Sequence, residues 1–457
     1  MKDLTQHSIP KHLLTLSVPI AVGMLVQTMY FLVDLYFIGA LGDAAIAGLS
    51  MAGNFMFIVL ALTQVLNVGT ATLIAHAVGR KQQSQANLVF NQSLMLSGFC
   101  FLAVLLLGYA LAKPYLRLVS DDPAAIDAAF TYLLFFMPCL AIQFPITAIG
   151  AALRGTGIVK PTMLVQLSSL GLNIALSPVL ISGWGTGLAL GIAGAGLASS
   201  VSVLAALAML YWYFSKLERY VSVDRSLWKA DTGLWRDLLK IGLPSGGEYL
   251  ITFAFMAMVY WAIQGFGTDA QAGFGLGVRI VQALILPALA IAMAAPAIAG
   301  QNFGAGQQQR VKQTFYWTVL LTSTLMLLLS ILCLWGPHWL FSPFTSDVEV
   351  LAYASGFIAI TCWNFVPTGV VATCSGMFQA LGYTLPALLA SFVRLSLFGL
   401  PLLVIVNWGH LAIEQVWYLS VTSVFIQALL CLWLLNKTAR TRLIVKTTSP
   451  VDATAAA

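Results

Sequence analysis

The chain has 457 residues, 60% of them hydrophobic and only 8% charged, with a formal net charge of +6. A soluble globular domain carries about 25% charged residues. A water-soluble enzyme or binding module is therefore excluded, and an all-α polytopic membrane protein is expected.

Apolar stretches long enough to cross a bilayer, about 20 residues each, recur along the whole length. The first six cover 15–38, 46–74, 91–112, 130–151, 162–182 and 190–214. The second six cover 241–264, 273–300, 315–335, 351–375, 387–406 and 415–436. Ahead of the first span MKDLTQHSIPKHLL is polar, and the run after it is long enough to stay in the membrane, so no cleaved signal peptide is expected. Cys100, Cys139, Cys333, Cys362, Cys374 and Cys431 all fall within spans without metal-ligand spacing, and are read as packing residues. The segment 438–457, ending TTSPVDATAAA, is expected to be a disordered cytoplasmic tail.

The basic residues report topology. Of the 22 lysines and arginines, only Lys113 and Arg117 fall on the outer side, while Arg279 and Arg394 fall inside spans. The others lie on one side, which the positive-inside rule makes cytoplasmic, together with both termini. The positive charge therefore needs no nucleic acid partner.

Sliding the sequence on itself gives a gapless register of 225 residues. Pro19 falls on Pro244, Gly42 on Gly267, Gln82 and Gln83 on Gln307 and Gln308, and Asp122 on Asp347. GIVKP at 157–161 falls on GYTLP at 382–386. Six spans per copy make the repeats parallel, two six-helix bundles about a pseudo-two-fold axis along the membrane normal. Such a pair of lobes suits transport by alternating access better than a passive scaffold. The expected division is an N-lobe at 1–214, a cytoplasmic linker at 215–240 and a C-lobe at 241–437.

Asp34 stands in YFLVDLYFIGALG, an otherwise apolar run. A carboxylate near the bilayer centre costs roughly 2.5–3.5 kcal/mol on insertion scales. Asp34 lies 15 residues beyond Pro19, about 22 Å along a helix and so past the midplane. Gln27, Tyr30 and Asp34 share one helical face, which should look into a cavity. Two readings stand: coupling to an ion or proton, or a buried carboxylate acting as hydrogen-bond glue.

The fifth span carries Gln166, Ser169, Asn173 and Ser177 on one face, followed by Pro178. The fourth carries Tyr132, Phe136, Cys139 and Gln143. Three such stripes in one repeat point to a shared polar cavity, and Met24 with nearby aromatics would give it a pliable, cation-tolerant wall. In the second repeat Asp34 is matched by Val259, so the acid belongs to the first lobe. Glu248 and Arg279 are read as a secondary charge pair, structural or transport-related. Walker A, HExxH and GxSxG sequences are absent, which leaves ATP-driven pumping and metal-dependent catalysis without their parts, so the chain is not read as an enzyme.

Four segments together resemble the multidrug and toxic compound extrusion (MATE) transporters: VDLYFIGALGDAAIAGLS at 33–50, LRGTGIVKPTM at 153–163 with NIALSPVLI at 173–181, IGLPSGGE at 241–248, and GQNFGAGQQQRVKQTF at 300–315. The resemblance covers about residues 10–437 and is closest to the DinF-like branch. It implies an antiporter of the cell inner membrane that expels small organic cations against inward H⁺ or Na⁺ and uses no cofactor. It further implies that Pro19 is the bending proline, Asp34 the coupling carboxylate, and Tyr132 and Asn173 its cation-site partners. Na⁺ would then sit near Asp34 and Asn173.

Two departures matter. Ser177 stands where that branch carries a second aspartate, and a hydroxyl of the sixth span is replaced near Ala195. Losing one negative ligand weakens a hard-cation cage, so H⁺ is favoured over Na⁺. The expected partners are the bilayer and organic cations, with the chain acting as a monomer. The alternative within the same superfamily is a flippase for a lipid-linked precursor.

Overall fold

The computed structural model describes residues 1–216, 220–407 and 412–444. Among them there is no strand. The helices are α1 (Ile9–Gly39), α2 (Asp43–Gly79), α3 (Gln83–Val119), α4 (Pro123–Gly155), α5 (Lys160–Ser182), α6 (Ile192–Lys216), α7 (Thr232–Ile263), α8 (Thr268–Gly304), α9 (Gln308–Trp335), α10 (Pro337–Phe341), α11 (Val348–Thr361), α12 (Phe365–Ala380), α13 (Leu385–Asn407) and α14 (Ile413–Ile444). Twelve spans are long and apolar enough to cross a membrane. The tenth, Val348–Ala380, is α11 and α12 joined by a 3₁₀ turn at Cys362–Asn364.

The duplication is visible in where helices start. Asp43 and Thr268, Gln83 and Gln308, Pro123 and Val348, and Lys160 and Leu385 each open equivalent helices 225 residues apart. The local chemistry repeats with them. Gly42 (φ 103, ψ 176) and Gly267 (φ 95, ψ 178) precede α2 and α8 in a backbone region open essentially to glycine alone. The Asp122 carboxylate caps α4 by accepting from Ala124 N–H at 3.0 Å. Its copy Asp347 caps α11 by accepting from the N–H groups of Glu349 and Val350 at 2.9 and 3.1 Å. Such a cap contributes about 1 kcal/mol. Gln83 donates to the Tyr220 carbonyl, and its copy Gln308 donates to that of Leu443.

The chain divides into two compact units, Met1–Asp3 with Pro19–Gly246, and Leu4–Val18 with Gly247–Ala457. The changeovers fall within α1 at Pro19 and within α7 two residues after Pro244, where the missing proline N–H interrupts the helical ladder.

In the first unit α4 is the central helix, packed against α2, α3 and α6. Tyr132, Leu133, Phe136, Met137, Leu140 and Phe144 from it form the core. Small residues on α6 allow the close approach: a Cβ on Gly196 would stand 2.7 Å from the Tyr132 carbonyl oxygen and 3.0 Å from Phe136 N. Where lipid removes most of the hydrophobic drive between helices, such close packing supplies it.

The expected linker at 215–240 is shorter than the sequence suggests, because α6 ends at Lys216 and α7 already begins at Thr232, with 217–219 outside the described residues. Asn91 and Gln92, fully buried on α3, hold the connection down. Asn91 donates to the Ser222 carbonyl (2.9 Å) and accepts from Asp224 N–H (2.8 Å). Gln92 donates to the carbonyls of Leu227 and Lys229, both at 2.7 Å.

In the second unit the N-terminal segment is tied to the ends of α8 and α9. Leu4 N–H donates to Gln301 Oε1 at 2.9 Å, and Arg310 donates to the carbonyls of Gln6 and His7 at 3.2 and 2.9 Å. An aromatic cluster forms the core: Phe274 stacks on Trp417 at 5.4 Å and meets Phe357 edge-on at 5.2 Å. The expected tail from 438 is corrected in part, since α14 continues to Ile444 with Leu443 buried in the core. The remainder, 445–457, lies outside the described residues. All six cysteines are unpaired, five buried and Cys100 half-buried.

Candidate functional site

The first unit holds a cavity of about 190 Å³, room for more than a single water. Gln27, Tyr30 and Asp34 line it from α1, Tyr132, Phe136 and Gln143 from α4, and Gln166 and Ser169 from α5. The three polar stripes of the sequence thus converge on one space. Helical spacing explains which residues reach it, since at 100° per residue Gln27 and Tyr30 lie within 40° of Asp34.

Met24 is a correction. It is half-buried and absent from the cavity wall, because ten residues before Asp34 it points about 80° away. Gly23 lies on the Asp34 face instead, and a Cβ there would stand 2.5 Å from Gln166 Oε1.

Asp34 is 4% exposed, and its carboxylate is held by two donors. Ser199 Oγ donates to Oδ2 at 3.2 Å, and Asn173 Nδ2 donates to Oδ1 at 3.4 Å. Asn173 Nδ2 also lies 3.1 Å from the Tyr30 hydroxyl and 3.2 Å from Ser199 Oγ. The Tyr30 hydroxyl in turn donates to the Ser199 carbonyl at 3.3 Å. Four side chains from α1, α5 and α6 thus form one network. No cation pairs with Asp34 among the described residues, so the carboxylate, when ionised, has no compensating charge at the cavity.

Ser199 was missed by sequence reasoning and corrects one expectation. The sixth-span hydroxyl is supplied by Ser199, four residues after Ala195 on the same helical face. The signal was the small polar run Ser199-Ser200 in an otherwise apolar span. Ser200 has a separate task, donating to the Phe135 carbonyl and accepting from Cys139 N–H at 3.1 Å, which ties α6 to α4.

Tyr132 lines the same cavity but makes no hydrogen bond to Asp34. It is fully buried and stacks on Phe136 at 4.8 Å between centroids. Ser177 is fully buried one turn beyond Asn173, its hydroxyl unpartnered, and it does not join the network.

The expected Glu248–Arg279 pair is not formed. Glu248 on α7 accepts from Ser375 Oγ on α12 at 2.9 Å, while Arg279 lies on an exposed face of α8. A hydroxyl, not a guanidinium, meets the Glu248 carboxylate.

Twelve apolar spans in two matching halves, with an intramembrane carboxylate at a cavity, define a polytopic membrane transporter rather than an enzyme. The MatE family model matches the chain twice, over residues 19–179 and 244–405, and the chain belongs to this MATE family. The two matches open on Pro19 and Pro244, in register with the duplication.

Among its relatives is the FAD transporter of Shewanella oneidensis, 26% identical over 408 residues, covering 88% of this chain and 90% of that protein. The multidrug export protein MepA of Staphylococcus aureus is 25% identical over 447 residues, covering 97% and 96%. A solved MATE structure in a bent conformation superposes with a TM-score of 0.90 at 23% identity, covering 98% of each chain, a likeness of fold.

Proposed function

We propose that this transporter exports organic cations, including drugs, in exchange for inward H⁺, with Asp34 as the group that both ligands use. The observation that carries the reading is the carboxylate of Asp34, 4% exposed, hydrogen-bonded by Ser199 and Asn173, and lining a cavity without a cationic partner. An unpaired charge in such a place is costly, and either a proton or a bound cation removes the cost. The two ligands therefore compete for one negative charge.

In this reading a cation enters from the cytoplasm while Asp34 is ionised, drawn by the carboxylate and by the aromatic faces of Tyr132 and Phe136. On the outer side a proton takes the carboxylate and displaces it. Protonation changes what Asp34 accepts from Ser199 and Asn173, and Pro19, fifteen residues earlier in α1, is where the helix responds. Coupling follows if the two conformations bind the proton with different affinity. The protein works as a monomer in the cell inner membrane with both termini cytoplasmic, as the asymmetry of its basic residues supports.

One observation favours Na⁺ as the second reading: Asn173 Oδ1 and Ser177 Oγ are buried oxygens without partners, the donor type a hard cation takes. A single carboxylate makes that cage weakly charged, which supports H⁺. The flippase alternative needs several basic residues around a pyrophosphate, and the cavity of the first unit is lined by none.

Competition gives a direct test. Binding of a fluorescent lipophilic cation to the purified protein should weaken as pH falls, because protonation removes the charge that attracts it. Cation binding at intermediate pH should release protons into weakly buffered solution, fewer than one per cation and rising toward one as pH falls. Cation affinity independent of pH, with no proton release, would remove Asp34 from the exchange.

A further inference from the structure

The cavity of the first unit continues past Asp34, toward the end of the unit where α4 and α6 finish and α5 begins. Its wall there is made by Ile146 on α4, Leu210 on α6 and Thr162 on α5. Thr162 is the third residue of α5, and Lys160, which opens that helix, is exposed. This end lies on the side that carries most of the basic residues, cytoplasmic in the reading above.

A line of polar side chains runs from the Asp34 network to that end. Asn173, which donates to Asp34, is followed inward along α5 by Ser169, Gln166 and Thr162, at steps of four, three and four residues. These steps keep all four on one helical face over about 16 Å. Ser169 gives its hydrogen to the Ser202 carbonyl at 3.1 Å. Further in, neither Gln166 nor Gln143, on the α4 wall, makes a hydrogen bond to any described residue. The Thr162 hydroxyl oxygen is buried and unpartnered.

Unmet amide and hydroxyl groups beside a cavity with room for more than a single water are groups that water satisfies. An amide offers donors and acceptors together, so Gln143 and Gln166 can order a hydrogen-bonded file. The titratable groups on the cavity wall are Asp34, Tyr30, Tyr132 and Cys139, all outward of Gln27 and Gln143. A proton that leaves Asp34 inward therefore meets no side-chain acid or base, and water is its carrier. In the second repeat the line is broken together with the acid: Val259 replaces Asp34, Phe398 replaces Asn173 and Ala387 replaces Thr162.

We propose that the inner half of this cavity is the path by which the proton of Asp34 leaves toward the cytoplasm, carried by water that Gln166 and Thr162 position. The O–H bond of Asp34 breaks and the carboxylate keeps the electron pair. The proton then passes along the file, each water forming one O–H bond as it gives up another, and ends on water at the start of α5. Nothing is oxidised or reduced. Asp34 thus regains its charge within the first unit. The route rests on proton exchange at Asp34 as read above, and adds to it two positioning residues.

The test compares two transport modes in vesicles holding the full chain. Efflux of a cationic dye driven by a pH gradient needs proton release, whereas exchange of labelled for unlabelled dye at equal high pH does not. Thr162→Val keeps the shape of the side chain and removes a hydroxyl that has no partner, so the fold should persist. Gly23→Ala acts from α1, since a Cβ there would stand 2.5 Å from Gln166 Oε1 and must displace the amide. Each substitution should slow pH-driven efflux about 10-fold, the scale of one hydrogen bond lost from the path, and leave dye exchange unchanged. Thr162→Ser should restore the wild-type rate. Wild-type efflux in both variants, or equal slowing of both modes, would overturn the route, and either variant decides if the other does not fold. Failure of a pH gradient to drive efflux in the wild type would overturn proton exchange itself, and the route with it.

Discussion

Asp34→Asn should reduce efflux of a cationic dye from reconstituted vesicles to the level of protein-free vesicles. The substitution keeps the size of the side chain; its amide oxygen can accept from Asn173 while its NH2 donates to the Ser199 hydroxyl, so the fold of the first unit should persist. What it removes is the charge. Truncating a buried charge contact costs roughly 2–5 kcal/mol, so affinity for the cation should fall by about 30-fold or more. The proton site disappears as well, and with it the exchange. Thermal unfolding of the variant close to wild type, together with lost efflux, identifies a functional group. Unfolding well below wild type would instead make Asp34 the hydrogen-bond glue of the alternative reading.

The second large effect belongs to packing. Gly196→Val should destabilise the first unit, because a Cβ at Gly196 would stand 2.7 Å from the Tyr132 carbonyl oxygen and 3.0 Å from Phe136 N. Both are backbone atoms and cannot swing aside, so α6 must move away from α4. Overpacking of this kind costs about 1–3 kcal/mol, seen as a lowered thermal midpoint in detergent. The displacement also carries Ser199, three residues along α6, away from Asp34, so cation binding should weaken in the same variant. Gly171→Val on α5 is the control, since nothing lies within 4 Å of its Cβ position. Similar midpoints for the two variants would mean that the approach of α6 to α4 does not set stability.

The sequence makes much of this legible. Helix starts 225 residues apart follow from repeated Gly and Asp punctuation, and such local signals survive divergence of the apolar residues between them. The cavity was legible wherever helical periodicity alone decides, as for Gln27, Tyr30, Gln143 and Gln166.

It was not legible where rotation or side-chain reach decides. Met24 is near the site in sequence and 80° off in angle. Glu248 and Arg279 look like partners by charge, yet Ser375 takes the carboxylate. Ser199 was hidden because serines are common in membrane spans as helix-packing residues. Only the rotation of α6 separates Ser199, which meets Asp34, from Ser200, which ties α6 to α4.

The identity of the coupling ion is decided by dye efflux from vesicles holding wild-type protein, driven in turn by a pH gradient without Na⁺ and by a Na⁺ gradient at uniform pH. Efflux driven by the pH gradient alone, and absent with the Na⁺ gradient, is the predicted result. Full efflux driven by Na⁺ at uniform pH would contradict proton exchange at Asp34.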